Sequence, residues 1–355
     1  MQKIGRILDT GLRRAAENIA LNRALLEACQ ANAAPPTLRF LRFTPAALLG
    51  FHQSADQALN LEYCQAQGVT IQRRITGGGA IYCDETQLGW ELYLHKSELG
   101  CADMQAISQR ICTAAARGMQ TLGVDAHYRP RNDIEVDGRK ISGTGGAFDG
   151  DALLFQGTLL LQFDVEKMLR VLRISAEKLA DKALRSARER IANLTELLGY
   201  APALEVVQTQ LAAAFATEFG ITFVAGALTP QEQTLFDAAL AEIDCDDWVY
   251  LRRSVADRPT LQAAIKFPSG LIEVRIHYDK ARHWIQQLCF SGDFFISPRR
   301  TIVDLEACLR ESDARAICAN VETFFAQRPV DMLGLRAQDF SAVIEAALAS
   351  VAITV

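Results

Sequence analysis

Arg73-Arg74-Ile75-Thr76-Gly77-Gly78-Gly79-Ala80-Ile81-Tyr82 is the stretch on which the reading of this chain turns. Three successive glycines separate two short apolar runs, Val69 to Arg74 and Ala80 to Cys83, both built of strand-forming residues. A glycine reaches φ > 0 at no steric cost, so such a run can leave its N–H groups bare and turned inward as an anion-binding nest. It is not a P-loop, which needs Lys-Ser or Lys-Thr directly after the last glycine and a helix after that. Gly143-Thr144-Gly145-Gly146-Ala147 is no dinucleotide fingerprint either, because no helical period follows before the strand pattern at Leu153.

Strand alternation sorts the neighbours of this turn. Gln72, Arg74 and Thr76 share one face and Ile71, Arg73 and Ile75 the other. Arg74 is therefore the ligand candidate, with Arg73 supporting the turn. A second phrase, Arg131-Asn132-Asp133 followed by Gly138-Arg139-Lys140-Ile141-Ser142-Gly143, reads as two strands around a turn at Asp137-Gly138. Alternation puts Lys140, Ser142 and Thr144 on one face and Ile141 in the core. Asn132 and Asp133 fit two readings equally, a turn closed by Asx hydrogen bonds or a pair of ligands. From Leu153 to Phe163 an apolar face leaves Gln156, Thr158 and Gln162 opposite.

The wider pattern is α+β. Strands are expected at Leu38 to Phe43, Ala47 to Phe51, Trp90 to His95, Asp133 to Val136, Lys140 to Thr144 and Leu153 to Phe163, with helices from there to Phe219. Asp56 to Gln67 reads as one helix. Asp103 caps another, striped by Met104, Ile107, Ile111, Ala115 and Leu122 and stopped at Gly123. At the N-terminus Arg6, Arg13 and Arg14 fall in a helical pattern, but Asp9 and Glu17 argue against a transit peptide. Leu12, Ala15, Ile19, Leu26 and Cys29 mark a packed first helix. From Gly226 to Leu251 there are six acidic residues and no Lys or Arg, with Thr229-Pro230 opening a helix, which places a linker near Ile243 to Asp247. Beyond it come strands at Leu271 to Tyr278 and Trp284 to Phe290, then helices from Ile302.

Composition excludes several classes. The 355 residues carry a net charge of −5 and no basic tract mixed with aromatics, which argues against nucleic acid as a partner. The longest apolar runs are strand length, so no membrane span is expected. Nine scattered cysteines without a C-x-x-C pair suit free thiols in a reducing cytoplasm.

Together the two phrases resemble the lipoate-protein ligase A family, within the biotin and lipoate ligase superfamily, whose members carry RRxxGGGAVxxD and later K-[IV]-S-G. The helix opening at Arg14 and the phrase Ser291-Gly292-Asp293-Phe294-Phe295 in a small accessory domain fit the same family. The resemblance implies a catalytic domain of mixed or antiparallel sheets flanked by helices over residues 1–245, and a small α+β accessory domain over 246–355. It implies a cytoplasmic, ATP- and Mg²⁺-dependent ligase that converts lipoate to lipoyl-AMP and transfers it to a lysine of a lipoyl-domain carrier protein. Lys140 would be catalytic. Arg74, Thr76, Gly77, Gly78, Gly79, Ala80, Asn132, Asp133, Ser142, Gly143, Gln156, Gly157 and Thr158 would bind ATP or lipoate, with metal ligands unassigned. Gln156 stands where the family has histidine, so no acid–base role can be given to it. Glu166 to Arg190 holds eight Lys or Arg against four Asp or Glu, net +4, and is a candidate surface for an acidic carrier. The rivals are an octanoyl- or lipoyl-transferase of the same fold, which needs an activated thiol, and a non-catalytic lipoate or biotin binder.

Overall fold

The computed structural model describes residues 3–100, 103–130, 132–173, 188–251 and 261–350. They form two compact units, one of Met1–Leu48, Asp56–Ile75 and Ile81–Val249, the other of Leu49–Ala55, Thr76–Ala80 and Tyr250–Val355.

The first unit is built on an eight-stranded mixed sheet. Its strands are β1 (Lys3–Arg13), β2 (Thr37–Phe43), β6 (Gln87–His95), β7 (His127–Arg129), β8 (Asp133–Val136), β9 (Arg139–Asp149), β10 (Ala152–Leu160) and β11 (Ile221–Ala225). Their spatial order is β11-β1-β2-β6-β10-β9-β8-β7. β1 runs parallel to both β11 and β2, and the other pairings are antiparallel. A three-stranded sheet of β3 (Ala46–Leu49), β4 (Thr70–Arg73) and β5 (Ile81–Cys83) stands in the order β4-β3-β5.

Helices pack on both faces of the large sheet around β6, which is why β6 reads as mostly apolar. On one face the helices Met104–Gln120 and Leu204–Phe219 pack Ile107, Ile111, Leu211 and Phe215 against Trp90, Leu92, Phe155 and Leu159. On the other, helices Ala15–Gln30 and Pro230–Ile243 pack Ile19, Leu25 and Phe236 against Leu8, Tyr93 and Leu154. Each such side chain contributes roughly 1.5–3 kcal/mol when fully buried. Asp103 caps its helix as expected, its carboxylate accepting from the N–H groups of Gln105 and Ala106.

The second unit carries its own sheet of β12 (Leu261–Phe267), β13 (Gly270–Asp279) and β14 (Trp284–Gly292), with Ser312–Asp313 at one edge. Helices Thr301–Leu309, Ile317–Ala326 and Ala337–Ala349 cover it around Phe290, Phe294, Phe324 and Phe340.

Four expectations are corrected. Lys3–Arg13 is a strand, not the start of a helix, and Leu12 is exposed on it while the helix begins at Ala15. Its Arg6 is buried because Glu232, on the helix opened by Thr229-Pro230, takes its guanidinium in a two-pronged pair (Nη1 to Oε2, 2.8 Å). Asp56 to Gln67 is two short helices, Ala55–Ala58 and Leu61–Ala66, because Asn60 breaks the first and caps the second through the N–H of Tyr63. The strand expected at Lys140 to Thr144 does not stop there but runs on as β9 to Asp149, paired with β10. The stretch from Ile243 to Asp247 spans the end of one helix and the start of Asp246–Tyr250, which Arg73 holds by donating to the carbonyls of Trp248 and Val249.

Candidate active site

The site is assembled by strand register and by one irregularity in it. Residues directly opposite in a sheet point to the same face. Gly143 lies between Asp133 on β8 and Thr158 on β10, and Gln156 lies between Gly145 on β9 and Glu91 on β6. Asp133, Gly143, Thr158, Gly145 and Gln156 therefore share a face, the one that helix Ala15–Gln30 covers farther along β10 at Ala152 and Leu154. All five are only partly buried.

Regular alternation would put Lys140 with Ser142 on the opposite face, and that expectation fails. Ile134 pairs with Ser142 while the next residue, Glu135, pairs with Lys140, so Ile141 is an extra residue, a β-bulge. Ile141 and Ser142 both turn into the core and are fully buried. Lys140 is transferred to the face of Asp133 and Gly143, with 39% of its side chain exposed, and its Nζ lies 2.6 Å from Asp133 Oδ1. Its backbone is fixed from the other side by Arg190 O accepting its N–H (2.8 Å) and its carbonyl accepting the N–H of Ala192 (2.9 Å).

The remaining predicted residues divide. Asn132 is committed to the fold: its Nδ2 donates to Thr144 O (2.9 Å), and its carbonyl accepts from Thr144 N (2.8 Å) and Oγ1 (2.9 Å). That favours a structural role for Asn132 and leaves Asp133 as the partner of Lys140. Gly157 faces the core, where Trp90 lies on it so closely that a Cβ would stand 2.2 Å from the indole. Arg74 is buried and donates to Leu48 O (2.9 Å). Burial pulls its guanidinium down to about 10, against the pull of Cys83 in the other direction. Cys83 is buried in turn. Its thiol is pushed up to about 12 by that burial, which outweighs Arg74, and Asp84 adds to the rise.

Thr76, Gly77, Gly78, Gly79 and Ala80 belong to the second unit. Gly78 has φ +92°, which glycine alone adopts freely, and a Cβ on it would strike the Phe295 ring at 2.6 Å. The expectation of bare N–H groups is not met here, since Gly78 donates its N–H to Phe294 O (3.2 Å). Thr76 O accepts the N–H of Phe51 (2.9 Å). Thus Lys140, Asp133, Gly143, Gln156 and Thr158 come together, Ser142 and Gly157 turn away from them, and the +4 segment lies mostly in 174–187, outside the described residues.

Sequence reasoning missed a buried polar cluster in the same row as Gln156. Glu91 takes Arg39 Nη1 (3.0 Å), Tyr93 Oη (2.7 Å) and Asn22 Nδ2 (2.6 Å), and Arg39 Nη2 also donates to Asn18 Oδ1 (2.5 Å). The available signal was a charged residue in the middle of each of two strands, Glu91 in the mostly apolar β6 and Arg39 between Leu38 and Phe40 in β2.

The fold is one shared with solved lipoate-protein ligases. Residues 14–216 match the lipoyl protein ligase A/B catalytic domain, and the chain belongs to that family. Among its relatives, the octanoyltransferase LipM of Kyrpidia tusciae is 29% identical over 69% of this chain and 98% of its own. The lipoate-protein ligase LplJ of Bacillus subtilis is 26% identical over 78% and 82%. Of solved structures, the bipartite lipoate protein ligase of Thermoplasma acidophilum, studied with its E2 lipoyl domain, has a TM-score of 0.62 at 27% identity over 72% of this chain and 100% of that one. LipL1 of P. falciparum in complex with lipoate shares the fold at a TM-score of 0.70 and 18% identity, over 92% of this chain and 95% of that one.

Proposed function

We propose that the protein is an ATP-dependent lipoate-protein ligase, with residues 1–245 catalytic and 246–355 accessory. The observation that carries this reading is the delivery of Lys140, by the Ile141 bulge, onto the open face with Asp133, Thr158 and Gln156. In the first step a carboxylate oxygen of lipoate attacks the α-phosphorus of ATP, the bond to the β-phosphate breaks, and pyrophosphate leaves. The Lys140 ammonium offsets the charge that builds on the carboxyl and α-phosphate oxygens, a contribution of about 2.7–4 kcal/mol for a well-placed donor. In the second step the amine of a carrier lysine attacks the acyl carbon, the bond from that carbon to the phosphate oxygen breaks, AMP leaves, and the proton of the amine passes to the departing phosphate or to solvent. Gln156 can orient substrate by hydrogen bonds but cannot take that proton. Thr158 adds a hydroxyl on the same face.

Mg²⁺ would neutralise phosphate charge. Among the described residues no group of three or more His, Cys, Asp or Glu could hold a metal. Such an ion would ride mainly on phosphate oxygens and water. No helix of the described residues is long and apolar enough to cross a membrane.

The transferase branch of the family is the competing reading, and it requires a reactive thiolate. Cys83, Cys29 and Cys112 are buried with raised pKa values, and no cysteine occurs between Cys112 and Cys245. Lipoate and ATP together should yield lipoyl-AMP and pyrophosphate, with activity lost in Lys140→Ala and largely kept in Cys83→Ser. ATP-independent acyl transfer through a hydroxylamine-sensitive adduct on Cys83 would overturn the ligase reading.

A further inference from the structure

Lys140 does not reach its position by its own rotamer alone. A Cβ placed on Gly143 would stand 2.8 Å from Lys140 Nζ and 2.9 Å from its Cε. The end of the lysine side chain therefore lies directly over the bare α-carbon three residues ahead, and from there its Nζ meets Asp133 Oδ1 at 2.6 Å. Asp133 is the residue opposite Gly143 in the ladder, so seat and counter-ion lie side by side on one cross-strand row. The bulge supplies the third element, since without the extra Ile141 the lysine would face the core side. Among the described residues no other contact explains the glycine: Gly143 is not one of the positive-φ residues, and of the described atoms only those of Lys140 lie within 4 Å of its added Cβ.

We infer that Gly143 and Asp133 are positioning residues for Lys140: the glycine is the seat across which the lysine lies, and the carboxylate is the stop that fixes its ammonium before substrate arrives. This rests on the ligase reading for its catalytic consequence but not for its geometric one. A preset ammonium spends no further conformational freedom at the moment charge develops, whereas a free lysine end must give up its rotamer entropy then. The glycine thus acts on rate through the lysine rather than through backbone freedom.

Gly143→Ala tests this cleanly. An ordinary strand conformation accepts alanine, and the clash falls on the flexible end of a side chain, so the fold should persist with a melting temperature close to wild type. The lysine must shift by an ångström or so. A displacement of that size costs about a hundredfold in kcat, with KM for lipoate and ATP changed far less. Asp133→Asn should lower kcat in the same way. An independent readout, free of any assumption about activity, is the acetylation rate of Lys140 by acetic anhydride, followed by peptide mass spectrometry. Both variants should raise it relative to wild type, because each releases the ammonium from its ion pair.

An unchanged acetylation rate in both variants would overturn the seat whatever the enzyme does. Increased acetylation with unchanged kcat would overturn the positioning role. A wild type that releases no pyrophosphate, yet shows the acetylation difference, would sink the ligase reading and leave the geometric inference standing.

Discussion

Replacing Glu91 by leucine should be among the most damaging single changes in the first unit. Its carboxylate accepts from Arg39, Asn22 and Tyr93, and its side chain is only 4% exposed beside an Arg39 side chain at 0%. Leucine leaves a buried guanidinium without its counter-ion, and an amide and a phenol short of their common acceptor. Removing one partner of a buried pair costs about 3–5 kcal/mol, against a total stability of order 5–15 kcal/mol. Arg39 would keep Asn18 and Thr10 as neutral acceptors, which places the loss toward the lower end. Urea unfolding at pH 7 measures it, with an unchanged m-value as the check that two-state behaviour holds. The double change Arg39→Met with Glu91→Leu should recover much of the loss, because a buried pair exchanged for apolar residues of similar volume is often neutral. A loss below about 1 kcal/mol in Glu91→Leu alone, the typical worth of an exposed pair, would refute the claim that the cluster is shut off from water.

Three further outcomes follow from the same geometry. Ser142→Ala should be neutral or stabilising by thermal melting and should leave pyrophosphate release intact, because the Ser142 hydroxyl is buried with no hydrogen-bond partner among the described residues; a large loss of activity would show that the hydroxyl contacts substrate. Gly157→Val should unfold the first unit or cost several kcal/mol, since the new side chain meets the Trp90 indole at 2.2 Å, and soluble, wild-type-like melting would refute the packing. For Glu232, burial raises its pKa, but the bonds from Arg6 and Thr229 outweigh burial and hold it below its ordinary value. Its contribution is therefore present above the unfolded value near about 4.3 and lost as pH falls through the lower folded one. In Arg6→Met only the Thr229 bonds still oppose burial, so the gain in stability as pH rises through the range of this carboxyl should shrink; an unchanged slope would refute the pair.

Much of the fold was legible because it is written in composition and period. The helix after Asp103 has a charge at its cap, an apolar stripe and a glycine stop, and it forms as those signals require. β6 is mostly apolar because helices bury both of its faces. What could not be read locally was what depends on a distant partner. Lys3–Arg13 has enough spaced apolar residues to pass for the start of a helix, and becomes a strand because β2 and β11 flank it in parallel. Arg6 looks like a surface charge until Glu232, 226 residues on, arrives to bury it.

The clearest case is Lys140. Its motif marked it as the residue to watch, yet alternation put Ser142 and Thr144 on its face when both turn into the core, because counting by twos presumes an unbroken ladder. The ladder breaks at Ile141, and nothing in Lys-Ile-Ser-Gly announces a bulge, since the extra residue is an ordinary isoleucine that the core accepts. The glycine three positions later is the trace that sequence does carry. A strand glycine with no need of positive φ signals that something approaches the backbone closely, and here the approaching group is the lysine of the same phrase. Read in that way, Lys140 and Gly143 are a single unit in which the chain leaves out one side chain so that another can lie in its place.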